Sequence, residues 1–173
     1  QHQTQTIPEQ FRNGVNTKNE RTCTVMLANL RPAHYHFIKD DPVRPHIALE
    51  WRQQFPREMF ALYEDKYAEF DEPLTDNPLA IICVAYTDTV PISEADLNNI
   101  GSKVAVFYTV WSYSTGAGRD VVMQAAKYIK QHRQCERYVT LSPLTAMAER
   151  FHLKNGAQFI SRHAETQNFE YHL

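Results

Sequence analysis

Apolar positions recur along this chain in two rhythms, and the switch between them organises everything that follows. Residues 22–30 alternate and are β-branched enough for a strand. Residues 31–45 form a proline-bounded turn system with Asp40-Asp41-Pro42 as its break. Ile47, Trp51 and Phe55 have helical spacing, which predicts a short helix over 47–55. Residues 60–70 read as a strand and 71–78 as a turn. The run Leu79-Ala-Ile-Ile-Cys-Val-Ala-Tyr86 is apolar at every position, as a strand covered on both faces must be. Ser93 stands where it would cap a short helix over 94–99.

The second half is more sharply patterned. Residues 104–113 (V-A-V-F-Y-T-V-W-S-Y) predict a long strand rich in β-branched and aromatic residues. A glycine-bearing turn over 114–118 follows, then a helix over 119–131 with Val122, Ala125, Ala126 and Ile129 on one face. A strand over 137–141 leads to a helix over 143–154, with Pro143 in its first turn and Asn155-Gly156 ending it. Residues 158–161 and 169–173 read as closing strands. The order predicts one mixed α/β domain over 22–173, preceded by a polar, aperiodic arm over 1–21.

Composition narrows the class. The 173 residues are 43% hydrophobic and 22% charged, enough apolar content for a substantial core, and the net charge of −2 carries no basic excess. Nucleic acid or an anionic membrane surface as main partner is therefore not expected. The longest apolar run falls far short of the about 20 residues a membrane helix needs. Three cysteines, Cys23, Cys83 and Cys135, form no C-x-x-C pair, which fits reduced thiols and a cytoplasmic-type compartment. The chain opens at Gln1 rather than at a methionine, and no signal-peptide pattern is legible.

The strongest chemical signal is the strand–turn–helix over 104–131. Two of the five glycines, Gly116 and Gly118, fall between strand and helix. Glycines there let backbone N–H groups approach a ligand, and a helix start favours negative charge, so a pyrophosphate is the natural occupant. Ala117 lies between them and Arg119 adds a cation at the rim. A plain tight connection is the alternative. His34, His36 and His46 are close in sequence, but no third and fourth metal ligand is signalled, so no metal is expected. Cys83, with its apolar flanks, reads as an inert buried thiol. Phe107, Tyr108, Trp111 and Tyr113 read as strand packing, with part of the group able to flank a ligand channel.

With S-T-G-A-G-R in this turn and F-H-L-K-N-G-A over 151–157, the sequence resembles the GNAT superfamily of acyl-CoA enzymes. Tyr113 stands where that family usually has Gln or Arg, and His152 where it usually has the Tyr that protonates the departing thiolate. A narrower resemblance, carried by residues 79–86, A-V-F-Y-T over 105–109, T-L-S-P over 140–143 and F-H-L-K-N-G-A, is to the catalytic domain of malonyl-CoA decarboxylases. That family's long helical oligomerisation domain has no counterpart here, and the stretch between the two motifs is shorter.

The resemblance implies an α/β GNAT-like domain with a mixed, mostly antiparallel sheet, flanking helices and a splayed strand pair. It implies catalytic roles for Ser142 and His152, coenzyme A as carrier held by Gly116, Ala117, Gly118 and Arg119, and an acyl-CoA or an acyl carrier protein as partner. Decarboxylation of a malonyl thioester leaves an enolate that wants N–H donors, and a carbanion that an imidazole of pKa ~6.5 is suited to protonate. Ser142 would orient the leaving carboxylate without acting as nucleophile. The residues by themselves also allow Ser142 to be a helix cap and His152 a half-buried helix residue. Two other functions stay open: an acetyl-CoA-dependent N-acetyltransferase, for which no carboxylate base stands out, and a non-catalytic acyl-carrier-binding domain. The residues leave the oligomeric state open.

Overall fold

A computed structural model of the chain describes residues 5–8, 22–64 and 76–173. Its strands are β1 (Gln5–Pro8), β2 (Thr22–Asn29), β3 (Glu58–Glu64), β4 (Ala80–Thr87), β5 (Val104–Ser112), β6 (Arg137–Thr140), β7 (Ser142–Pro143), β8 (Gln158–Arg162) and β9 (Thr166–Tyr171). They form one sheet in the order β1-β2-β3-β4-β5-β6-β9-β7, with β8 on β9. The α-helices are α1 (Leu49–Gln53), α2 (Ala117–His132) and α3 (Ala146–Lys154), and 3-10 turns cover Pro32–Asp40 and Glu94–Asn98. The β2-β3-β4-β5 stretch is an antiparallel meander. Among the described strands only β5 and β6 run parallel, and α2 is the crossover that a parallel pair requires.

Both faces of the sheet are covered. On one, Val121, Val122, Ala125, Ala126 and Ile129 of α2 pack on Ile82, Val84, Ala105 and Phe107. On the other, Ile38 and Leu97 cover Ile81, Cys83, Val106 and Tyr108. The uniformly apolar run is therefore central, and every residue of β4 is buried. A mixed α/β sheet is what the pattern predicts, and its mostly antiparallel pairing with flanking helices is what the family resemblance implies.

Two irregularities shape β5. Its pairing with β6 runs only from Val104↔Arg137 to Phe107↔Thr140, closed by the Leu141 N–H donating to the Phe107 carbonyl at 3.2 Å. Beyond Phe107, β5 runs on to Ser112 while the other chain turns away into β7 and pairs with Gln167 and Thr166 of β9. This is the expected splay. On the β4 side the register jumps from Val84↔Phe107 to Cys83↔Thr109, so Tyr108 is the extra residue of a β-bulge. The bulge inverts the alternation: Val106 and Tyr108 face the same side as Trp111.

Several expected boundaries change. Gln5–Pro8 pairs antiparallel with β2 inside the stretch read as an arm. The strand expected over 60–70 starts at Glu58 and is described to Glu64, and most of the turn expected over 71–78 lies outside the described residues. Ser93 precedes its 3-10 turn without a side-chain cap bond. Pro143 is not in the first turn of α3: Ser142–Pro143 is a strand, and the helix starts at Ala146, capped by Thr145 Oγ1 accepting from the Ala148 N–H at 3.2 Å. Pairing with β9 outcompetes the local Ser-Pro preference.

Candidate functional site

Backbone polarity along the splayed part of β5 follows from its ladder. The Tyr113 N–H donates to the Leu79 carbonyl at 2.8 Å, which makes that pair hydrogen-bonded. By antiparallel alternation Ile81↔Trp111 is also a hydrogen-bonded pair, whereas Ala80↔Ser112 and Ile82↔Val110 are not. The N–H and C=O groups of Val110 and Ser112 therefore point away from β4, into the gap that β6 has left. The other lip of that gap is the chain leaving β6, through Leu141, Ser142 and Pro143.

The turn after β5 ends in Gly116, the N-cap of α2, at φ 82°, a left-handed conformation that glycine adopts without strain. Gly116 is exposed and nothing lies within 4 Å of where its Cβ would be. Ala117 and Gly118 are buried, and Arg119 is exposed at the rim. Ala117 donates its N–H to the Ser114 carbonyl at 3.1 Å, and the next two amides, at Gly118 and Arg119, belong to the helix start and have no intrahelical partner. Gly118 is not part of the turn, as expected, but lies inside the helix, and its smallness answers a packing demand. A Cβ there would sit 3.2 Å from Phe151 Cε1 and 3.7 Å from Ser112 Cβ. The end of β5, the start of α2 and the Phe151 ring of α3 thus converge at one end of the gap. Tyr113 accepts from Trp111 Nε1 at 2.8 Å and donates to Asp40 Oδ2 at 2.8 Å, which ties the turn to the Pro32–Asp40 segment.

Ser142 and His152 are both buried and both held by β9, but not by each other. The Ser142 hydroxyl donates to Thr140 Oγ1 at 2.8 Å, and the same Thr140 oxygen accepts the Phe169 N–H at 3.0 Å. His152 Nδ1 is 2.7 Å from the Tyr171 hydroxyl, and its ring stacks on Phe169 with centroids 5.4 Å apart. Burial pushes the His152 pKa down to about 4. The expectation of an imidazole near pKa 6.5 is therefore overturned: the ring is neutral at neutral pH. In the tautomer whose Nδ1 accepts from the Tyr171 O–H, Nε2 carries the ring proton.

This burial has a pH signature. The unfolded chain protonates His152 near 6.5 and the folded chain only near 4, so stability is full above pH 6.5 and falls as pH drops to 4. The loss is expected to reach about 3 kcal/mol. Urea denaturation between pH 7 and 4 should show it, and His152→Phe should flatten this part of the profile. An unchanged profile in that variant would refute the assignment.

A second polar group, unforeseen in the sequence, lies on the opposite face beneath the bulge. Arg52 is fully buried and donates to Asp41 Oδ2 at 2.8 Å, to the Arg44 carbonyl at 2.7 Å and to the Ile47 carbonyl at 3.1 Å. Asp41 Oδ1 accepts the Val43 and Arg44 N–H groups and the Thr109 hydroxyl, at 2.9, 2.9 and 2.8 Å. The Arg44 guanidinium donates to the Tyr108 carbonyl and, through Nε, to Glu94 Oε1 at 3.0 Å. Burial pulls the Arg44 pKa down, with Glu94 and Asp41 opposing it. Cys83 is buried as expected, its thiol pushed up to about 11 by desolvation.

Beside Pro143 a cleft of about 470 Å³ opens, lined among others by Arg44, Glu94, Asp96, His163, Glu165 and Thr166. The carboxylates there were not signalled by any motif, because they come from loops before β5 and between β8 and β9. His34 bonds the Tyr63 hydroxyl at 2.9 Å and His46 bonds Glu94 at 2.8 Å. Among the described residues no group of three or more His, Cys, Asp or Glu is arranged to hold a metal ion. No described helix is long and apolar enough to cross a membrane.

A mixed sheet splayed beyond one parallel pair, with a glycine-capped helix at the splay, is a GNAT-like fold, and solved structures agree. Malonyl-CoA decarboxylase from Agrobacterium vitis superposes with a TM-score of 0.57 at 21% identity, covering 73% of this chain and 35% of that one. The Campylobacter jejuni N-acetyltransferase PseH gives 0.56 at 11%, covering 85% and 96%. The Thermoplasma acidophilum PaiA N-acetyltransferase, solved in complex with coenzyme A, gives 0.54 at 10%, covering 86% and 99%. No family model and no curated protein matches the chain. The chain spans about a third of the length of the decarboxylase it matches.

Proposed function

We propose that this chain is an acyl-CoA enzyme of the GNAT fold that decarboxylates a malonyl-type thioester. The observation that carries the reading is the open edge of β5. There the Val110 and Ser112 amides face a gap whose other lip holds Ser142, and α3 brings the Phe151 ring to one end of it, with His152 next along the helix and packed on Phe169 and Tyr171 of β9. A CoA pyrophosphate would rest at the start of α2, over Gly116, Ala117 and Gly118, with Arg119 at its rim and the pantetheine running along β5. The thioester oxygen would meet the free amides.

When the bond to the carboxylate carbon breaks, its electron pair moves onto that oxygen, and N–H donors aimed there lower the barrier. Neutral His152 supplies an Nε2–H donor to the enolate rather than acting as an imidazolium acid, and the α-carbon takes its proton from solvent. Ser142, re-aimed from Thr140, holds the departing carboxylate.

A second reading, acyl transfer to an amine, is favoured by the cleft beside Pro143. Glu94, Asp96 and Glu165 there would attract a cationic amine, and one of them or His163 would take its proton.

Incubation of the protein with malonyl-CoA, and separately with acetyl-CoA and mixed amines, decides between these. Acetyl-CoA formed from malonyl-CoA is the expected result. Thiol release from acetyl-CoA without decarboxylation would replace the first reading by the second. CoA bound without turnover would leave a non-catalytic acyl-carrier-binding domain. Arg119→Glu is expected to weaken CoA binding about tenfold by calorimetry, a cost of about 1.4 kcal/mol. Equal affinity would remove the phosphate cradle.

A further inference from the structure

The bulge at Tyr108 is gripped from one side by a buried ionic assembly that covers no catalytic role of its own. Arg44 holds the Tyr108 carbonyl, and Asp41 accepts the hydroxyl of the next residue, Thr109. Both grips come from one short loop. Arg44 is itself fixed at both backbone ends, its N–H by Asp41 and its carbonyl by Arg52. Asp41, Arg44 and Arg52 are 2%, 4% and 0% exposed. Burying three charges is a poor way to gain stability, since apolar residues of similar volume do as well. A bulge can also be lost, and the one-residue slip that follows turns every later side chain and amide to the other side.

We infer that Arg44 and Asp41 are positioning residues that pin the β5 bulge at Tyr108 and thereby fix the direction in which the Val110 and Ser112 amides face. The inference rests on the reading of those amides as thioester donors for its functional consequence, but the pinning stands on the ladder alone. Without the two grips nothing specific to Tyr108 selects it as the extra residue. Pairings without the bulge then compete with the native one, and in them the Val110 and Ser112 amides turn toward β4 instead of into the gap.

The test uses the isotopically labelled whole chain in solution. In wild type, cross-strand nuclear Overhauser contacts should join Cys83 to Thr109 and Val84 to Phe107, and the Trp111 amide should be protected from exchange. Thr109→Val removes one hydroxyl, and Arg44→Met removes the carbonyl's donor. In both, the paired contacts should weaken and Trp111 exchange should quicken at least about tenfold. Arg44→Lys, which keeps a donor, should restore them in part. Arg137→Gln, which breaks the outlying pair to Glu170, should leave them unchanged.

Contacts and exchange that stay at wild-type values in Thr109→Val would overturn the inference. So would equal acceleration in Arg137→Gln, which would mark a global loss of stability. Should Arg44→Met fail to fold, Thr109→Val alone decides. Adding CoA and acetyl-CoA to wild type separates the two claims: Val110 and Ser112 amide shifts that ignore both ligands would sink the functional reading, whereas the contact pattern judges the pinning.

Discussion

His152→Ala is expected to lower the turnover of malonyl-CoA about 10²–10³-fold, the range for loss of one hydrogen-bond donor to a developing oxyanion. The affinity for CoA should stay within a few-fold of wild type, because in the proposed complex the carrier would rest at the start of α2 and not on α3. The ring is buried against Phe169 and hydrogen-bonded to Tyr171, so the substitution also leaves a void. Activity must therefore be compared above pH 6.5 and well below the melting temperature, with circular dichroism showing the variant folded. Tyr171→Phe provides a second measure. It removes the partner of Nδ1 while keeping the ring, and should lower turnover less than loss of the imidazole does. Wild-type turnover in a folded His152→Ala protein would end the assignment of this residue to the chemistry. Ser142→Ala should act more mildly, through poorer placement of the carboxylate.

Arg52→Met is expected to cost about 3–5 kcal/mol of stability, since it strands a buried Asp41 carboxylate and leaves the Arg44 and Ile47 carbonyls without their donors. For a domain of this size each kcal/mol corresponds to about 2–4 °C, so the melting temperature should fall by roughly 6–20 °C. Replacing Asp41 as well should not recover the loss in full. Its carboxylate also receives two backbone amides and the Thr109 hydroxyl, which an apolar residue would orphan. The Arg137–Glu170 pair, whose guanidinium is half-exposed, gives the contrast: breaking it should cost no more than about 1 kcal/mol. Equal losses at the two sites, measured by chemical denaturation, would contradict the account of the buried assembly.

These residues also show where sequence reasoning reached and where it stopped. The positions of β4, β5 and α2 are legible because each buries a repeating pattern: an apolar run covered on both faces, a β-branched strand, an apolar helical stripe. Gly116 is legible as a turn residue, and its positive φ confirms the demand for it. Gly118 carries the same local signal for a different reason, the approach of Phe151, which lies on another helix. Ser142-Pro143 has the look of a helix start, and only the pairing with β9 makes it a strand. Asp41 sits in a segment that reads as a mere chain break, and no local pattern marks its bond to Thr109, 68 residues away.

By itself, the sequence determined the order of strands and helices from β2 onward, β7 apart, and the glycine-bearing junction after β5, because periodicity and backbone freedom are local properties. It also carried the two short motifs that suggest acyl-CoA chemistry. The tertiary structure alone decided that Tyr108 is the bulged residue and that Val110 and Ser112 turn their amides into the gap. It alone made His152 a neutral imidazole, and it alone assembled Asp41, Arg44 and Arg52 beneath β5. Each of these depends on burial or on partners distant in the chain. Desolvation and long-range hydrogen bonding leave no mark on local residue patterns, so they become readable only once the sheet has closed around them.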